Sequence, residues 1–180
     1  MGSKNYLIEG VSGTGKTSVA EELQRRGYHV LHGDRELSLR GDPLTGKSLD
    51  GPVPEATRED PAWVHEHHIW DEDRVRALAA DRRQPISFFC GGARNVPRFV
   101  ELFDEIFVLE VDRETLNRRL DARPEDEFGG RPDERALILR LHETRADMPV
   151  GGVGIDATAP LDRVVDAILE RCGAGDEAPA

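Results

Sequence analysis

Eight consecutive residues, Gly10-Val11-Ser12-Gly13-Thr14-Gly15-Lys16-Thr17, constrain this chain more than any other part of it, because they satisfy the pattern G-x-x-x-x-G-K-[ST] in full. The glycines let successive backbone N–H groups curl round an anion with no Cβ in the way. A helix starting near Lys16 aims the positive end of its dipole at the same point. Lys16 is then placed to reach the β- and γ-phosphates of a nucleoside triphosphate such as ATP, and the Thr17 hydroxyl to ligate Mg²⁺. Ser18 follows and belongs to the same expected nucleotide-binding set. The context agrees with the motif. An apolar run, Asn5-Tyr6-Leu7-Ile8, enters the loop, and a helix with Val19, Ala20 and Leu23 on one face leaves it.

Beyond the loop, strand and helix patterns alternate. Apolar runs at 28–31, 85–90, 106–111 and 153–156 read as strands. Segments 16–26, 61–82, 96–103, 114–122, 134–146 and 160–172 read as helices, with Asp112 as a cap for the fourth of them. This order implies an α/β fold, a three-layer sandwich with a five-stranded parallel sheet and helices on both faces. Ligands of such sheets bind at the carboxyl ends of the strands. Two polar, glycine- and proline-bearing stretches interrupt the pattern: 39–60, too long for a plain connection, and 123–133. Residues 1–172 are expected to form one domain, with a small acidic tail, 173–180, expected to be disordered.

The 180 residues carry a net charge of −11, which disfavours nucleic acid or an anionic membrane as the main partner but not a phosphate ligand in a local positive field. No run approaches the roughly 18–20 apolar residues of a membrane span. The first strand begins too early to leave room for a signal peptide, and Cys90 and Cys172 have no metal-ligand spacing, so a cytoplasmic location is expected.

Candidate acceptor-side residues follow the strands. Asp34, in His32-Gly33-Asp34-Arg35, would sit at the sheet edge beside the loop, as a proton acceptor, a holder of a Mg²⁺-bound water, or a turn residue. Gly91 and Gly92 permit close backbone approach, and Arg94 could grip an anionic group of the acceptor. Arg119 and Arg123 share a helix face, and Arg131 lies beyond them; such arginines can stabilise a transferring phosphoryl group or pair with nearby acids. His65 and His68 either line the acceptor pocket or form a solvated rim.

With these residues in view, the chain resembles the adenylate-kinase-like group of P-loop kinases, which includes nucleoside and nucleotide kinases, gluconate kinase, shikimate kinase and chloramphenicol phosphotransferase. Its loop is close to the gluconate kinase version, and His32-Gly33-Asp34 resembles that family's Asp-Gly-Asp, whose second aspartate lies at the acceptor. Phe89 to Arg94 has the spacing of the Asp-Gly-Phe-Pro-Arg stretch of adenylate kinases, with Cys90 in place of the aspartate and Arg94 on the phosphate-binding arginine; it also resembles the Gly-Gly turn of shikimate kinase. The resemblance implies that Arg119 and Arg123 lead into a short lid at 123–133 and that adenine packs near Asp156 and Ala157. It also places the acceptor-binding segment at about 37–70. The function implied is an ATP- and Mg²⁺-dependent phosphotransferase acting on a small-molecule hydroxyl or phosphate. A nucleoside or nucleotide is the leading acceptor, and a sugar acid, another metabolite or an antibiotic is the alternative. A nucleotide hydrolase or a nucleotide-binding regulatory module is the rival from another class.

Overall fold

The structure, a computed structural model, describes residues 3–49 and 51–173; the tail expected to be disordered lies outside the described residues except for Gly173. Its elements run in chain order β1 (Lys4–Glu9), α1 (Lys16–Arg25), β2 (His29–His32), α2 (Gly33–Glu36), β3 (Ser38–Arg40), α3 (Glu55–Arg58), α4 (Pro61–Glu66), β4 (His68–Trp70), α5 (Glu72–Ala79), β5 (Ile86–Cys90), two single 3₁₀ turns (Val96–Arg98 and Val100–Leu102), β6 (Glu105–Glu110), α6 (Arg113–Asp121), α7 (Pro132–Thr144), β7 (Val153–Asp156) and α8 (Leu161–Arg171).

Five strands form one parallel sheet in the order β2-β5-β1-β6-β7. Alternate residues of each strand serve opposite cores, which is why the central strands read as unbroken apolar runs. Tyr6, Ile8, Phe88, Cys90, Phe107 and Leu109 pack with the buried faces of α1 and α8. Leu7, Phe89, Ile106 and Val108 pack on the other side with Trp70, Val75 and Phe99. The adjacent Phe88 and Phe89 are both fully buried, one in each core. The sheet therefore lies between two helical layers, as the alternation of patterns requires.

The main strands and helices fall within two residues of their expected bounds. Residues 61–82 are the principal correction. A single helix was expected there, whereas the chain forms α4, the short strand β4, and α5. Asp60 caps α4 by accepting from the Ala62 N–H at 3.0 Å, and Asp71 caps α5 by accepting from the Arg74 N–H at 3.1 Å. Between these two starts, β4 pairs antiparallel with β3, Leu39 opposite Ile69. Both Ile69 and Trp70 are fully buried, an arrangement that sheet pairing satisfies and one solvated helix face could not. The segment 96–103 forms 3₁₀ turns in place of the expected helix, with Pro97 in the first of them.

This two-stranded layer is joined to the main domain by Asn95. Its Oδ1 accepts from the Trp70 N–H at 2.9 Å and its Nδ2 donates to the Trp70 carbonyl at 2.8 Å, with no solvent exposure of Asn95. Trp70 also stacks on Phe99, ring centroids 6.3 Å apart. Asn95→Ala leaves two buried backbone groups unpaired and is expected to destabilise the chain by about 2–4 kcal/mol. A urea unfolding midpoint that stayed within the scatter of the parent would show that the clamp contributes nothing.

Candidate functional site

The phosphate-binding loop joins β1 to α1. Gly13 and Gly15 take φ values of +99° and +104°, in the left-handed region that suits glycine, and Gly15 is the N-cap of α1. The loop is tightened by Thr14, whose hydroxyl donates to the Val11 carbonyl at 2.9 Å. No acidic residue occupies the first turn of α1, so its N-terminal dipole is left for an anion. Lys16 Nζ donates to the Gly10 carbonyl at 2.5 Å and to the Val11 carbonyl at 3.3 Å. Burial pushes its ammonium below the usual lysine range, against the opposing pull of Asp34 and Glu9. Ser12, Lys16, Thr17, Ser18, Arg119 and Ala157 all line one open cavity of about 780 Å³.

Beside it lies a second cavity of about 340 Å³, lined in part by residues of α2, α4 and α7. Ser12, Lys16 and Asp34 line both. Asp34 stands in the first turn of α2 and faces the β5 turn. Its Oδ1 accepts from the Gly92 N–H at 3.3 Å and lies 3.3 Å from His68 Nε2. Burial opposes its charge, but His68, Lys16 and the Gly92 N–H outweigh that and hold the carboxyl below the usual aspartate range. The turn must be glycine. A Cβ on Gly91 would lie 2.6 Å from Asp34 Oδ1, and one on Gly33 would lie 2.0 Å from Trp70 Cζ2.

A chain of ionisable groups forms the floor of this cavity. Glu9, the last residue of β1, is buried, with Oε1 3.5 Å from Arg94 Nη2. Arg94 Nη1 lies 2.7 Å from Asp147 Oδ1, and Asp147 Oδ2 lies 2.6 Å from His65 Nε2. Val64, Phe128, Ile138, Leu141 and Met148 supply an apolar wall. Burial raises the Glu9 carboxyl to about 7, although Arg94 and Lys16 pull it down.

The arginines divide by role. Arg119 ties the phosphate loop to the loop before α8, donating through Nη1 to the Thr14 carbonyl at 2.8 Å and through Nη2 to the Ala157 carbonyl at 2.7 Å. Arg123 donates to Ser12 Oγ at 2.8 Å and to the Phe128 carbonyl, folding the 123–131 segment over the loop. Arg131 is not brought to this site. It precedes α7, lines neither cavity, and its guanidinium is held by Glu134 at 2.9 Å. Asp156 lies just outside the two cavities, turned to the Thr158 N–H and hydroxyl at 2.9 and 2.6 Å, while Ala157 borders the nucleotide side.

The residues expected on the acceptor side thus converge: Asp34, Gly92 and Arg94 line one cavity, and Gly91 sets the turn beneath Asp34. His65 and His68 line it too, while His67 stacks on Trp63 at 4.3 Å. Glu9 and Asp147 were not singled out from the sequence. An acid closing an apolar strand just ahead of the glycine loop was a signal for Glu9; Asp147, in a turn after α7, gave none. Among the described residues no group of three or more histidine, cysteine or carboxylate side chains is disposed to hold a metal by itself, so a Mg²⁺ on Thr17 would need phosphate oxygens as further ligands.

Glu9 gives a test of this electrostatic arrangement. Its folded-state value of about 7 lies above the ordinary 4.5, so the native chain keeps a proton that the unfolded chain releases within that window. The stability this group contributes is full below pH 4.5 and lost as pH rises through 7. Glu9→Gln is expected to gain on the parent as pH rises, by on the order of 3 kcal/mol at about pH 8 relative to acid. Parallel urea-unfolding curves for the two proteins across that range would contradict it.

In structure the chain is similar to a sugar kinase from Janibacter sp. HTCC2649, at 18% identity and a TM-score of 0.57, over 99% of both chains. It is similar to a gluconokinase from Sinorhizobium meliloti 1021, at 22% identity and a TM-score of 0.54, over 94% of this chain and 93% of that one. It is also similar to a shikimate kinase from Bacteroides thetaiotaomicron, at 16% identity and a TM-score of 0.61, over 94% of this chain and 98% of that one. These likenesses are of fold. No curated protein matches it in sequence. Residues 7–140, which include the glycine loop, Asp34, Arg94, Arg119 and Arg123, match the AAA domain family, and the chain belongs to that family.

Proposed function

We propose that this chain is an ATP- and Mg²⁺-dependent phosphotransferase that moves the terminal phosphoryl group to a hydroxyl of a small molecule. The observation that carries the proposal is the pair of adjoining cavities with Ser12, Lys16 and Asp34 on their shared border. One is built for phosphates. The other has polar groups at its floor and an apolar wall, which suits an organic acceptor better than a water molecule.

The roles follow from position. The backbone of residues 10–17 and the N-terminus of α1 cradle the phosphates. Lys16 leaves the loop carbonyls for the transferring group, and the Thr17 hydroxyl is the chain's own ligand for the cation. Mg²⁺, when bound, neutralises charge that develops on the phosphate oxygens. Arg123 reaches the loop from the lid side, and Arg119 fixes the loop against the segment before α8. Asp34 orients the attacking hydroxyl by accepting its hydrogen bond. Its lowered carboxyl is a weak base, which suffices because phosphoryl transfer through a loose transition state asks for positioning first and for proton removal late. Residues 123–131 close over the reacting groups and keep water out.

Asp34→Asn is expected to lower transfer by about 10²–10⁴-fold while ATP binding, read by calorimetry, is retained. ADP release measured with and without a panel of hydroxyl compounds checks the proposal. Release that no acceptor stimulates would make the chain a hydrolase, and unimpaired transfer by the Asn variant would remove Asp34 from its role.

A further inference from the structure

We infer that the acceptor is an uncharged or positively charged polyhydroxyl or amino-hydroxyl compound, and that anionic acceptors, sugar acids and monophosphates among them, are turned away. The inference rests on the phosphotransferase proposal above and adds the charge class of its second substrate.

Every basic side chain lining the smaller cavity already has a partner. Arg94, the residue placed to grip an acceptor's carboxylate or phosphate, has one arm on Asp147 at 2.7 Å and the other facing Glu9 at 3.5 Å. His65 is held by the same Asp147 at 2.6 Å, and His68 faces Asp34 at 3.3 Å. Lys16 sits on the carbonyls of Gly10 and Val11 and belongs to the phosphate side. Two carboxylates, Asp34 and Asp147, and the buried Glu9 carboxyl therefore share the cavity with one guanidinium, which Asp147 and Glu9 already engage.

Asp147 is not free to step aside. It bridges the β5 turn, through Arg94, to α4, through His65, and its side chain is only 14% exposed. An anion gripping Arg94 would have to break its pair with Asp147 and leave that largely buried carboxylate with His65 alone, in a cavity it shares with the Asp34 carboxylate. Ionised carboxylates accept hydrogen bonds and cannot donate them. Their complement is a ligand rich in O–H or N⁺–H donors, with a less polar face for Val64, Leu141 and Met148.

Matched acceptors on one skeleton test this with the full chain, ATP and Mg²⁺: glucosamine, glucose and gluconate, and separately adenosine and AMP, read by ADP release and product mass. The expected result is a kcat/KM for gluconate and AMP at least about tenfold below their uncharged or cationic counterparts, the factor that about 1.4 kcal/mol provides. Gluconate preferred to glucose, or AMP to adenosine, overturns the inference. Asp147→Asn should narrow the gap by lowering KM for the anion alone, whereas a merely structural loss would reduce all acceptors together. Phenylglyoxal labelling with peptide mass mapping needs no acceptor at all. Arg94 should be spared in the parent and modified in Asp147→Asn; a parent Arg94 that labels readily and is protected by gluconate or AMP overturns the inference. If ADP release depends on no acceptor, the phosphotransferase proposal fails, and the labelling still decides whether Arg94 is open to anions.

Discussion

The position of β1 governs the rest of the molecule. It lies in the middle of the sheet, hydrogen-bonded on one side to β5 and on the other to β6, so its carboxyl end cannot move without both neighbours. Register sets Ile8 opposite Cys90 and Phe107. The carboxyl ends of the three strands then lie at one edge: the glycine loop after Glu9, the Gly91-Gly92 turn after Cys90, and the run into α6 after β6, which continues two residues past β1. A parallel sheet leaves backbone groups and helix N-termini at that edge, and the chain fills it with one anion-binding loop and a set of ionisable side chains. The geometry of the site is here a by-product of strand order.

The charges at this edge are interdependent. Burial raises the Glu9 carboxyl to about 7 against the pull of Arg94, and the other arm of Arg94 is taken by Asp147. His65 completes the row from α4. Removing one member strands another in a poorly solvated place, which is a larger penalty than the pair itself contributes as stabilisation. The row thus fixes the shape of the cavity floor more than it adds to the stability of the fold.

The glycine loop, the five strands of the main sheet and helices α1, α6, α7 and α8 were legible because each carries a local signal: apolar runs, caps and glycines at turns. Asp34 and Arg94 could be placed because they directly follow strands, and a strand end has a known address in a parallel sheet. Strand β4 was not legible. His68-Ile69-Trp70 is three residues long and exists only by pairing with β3, while its neighbours on both sides are helical, so the pattern reads as one continuous helix. Arg131 looked like a lid arginine by its position in a glycine-bearing segment, but Glu134 three residues on gives it a local partner at the start of α7. Asp147 meets Arg94 across more than fifty residues of chain. No window along the sequence contains that contact.

The cavity has one wall that can change and one that cannot. On the β2–β5 side, Gly33 and Gly91 leave no room for even a methyl group beside Trp70 and Asp34. Any side chain there would displace the tryptophan that joins the small sheet to the core, and folding would fail before selectivity shifted. On the opposite side, Val64, Leu141 and Met148 come from α4, α7 and the turn after it, and none is fully buried. They can be exchanged for larger, smaller or more polar residues at modest cost. Drift in what this cavity admits is therefore channelled to the wall formed by α4, α7 and the turn after it, and a library confined to those three positions would vary the cavity while leaving the glycine loop, Asp34 and Arg94 untouched.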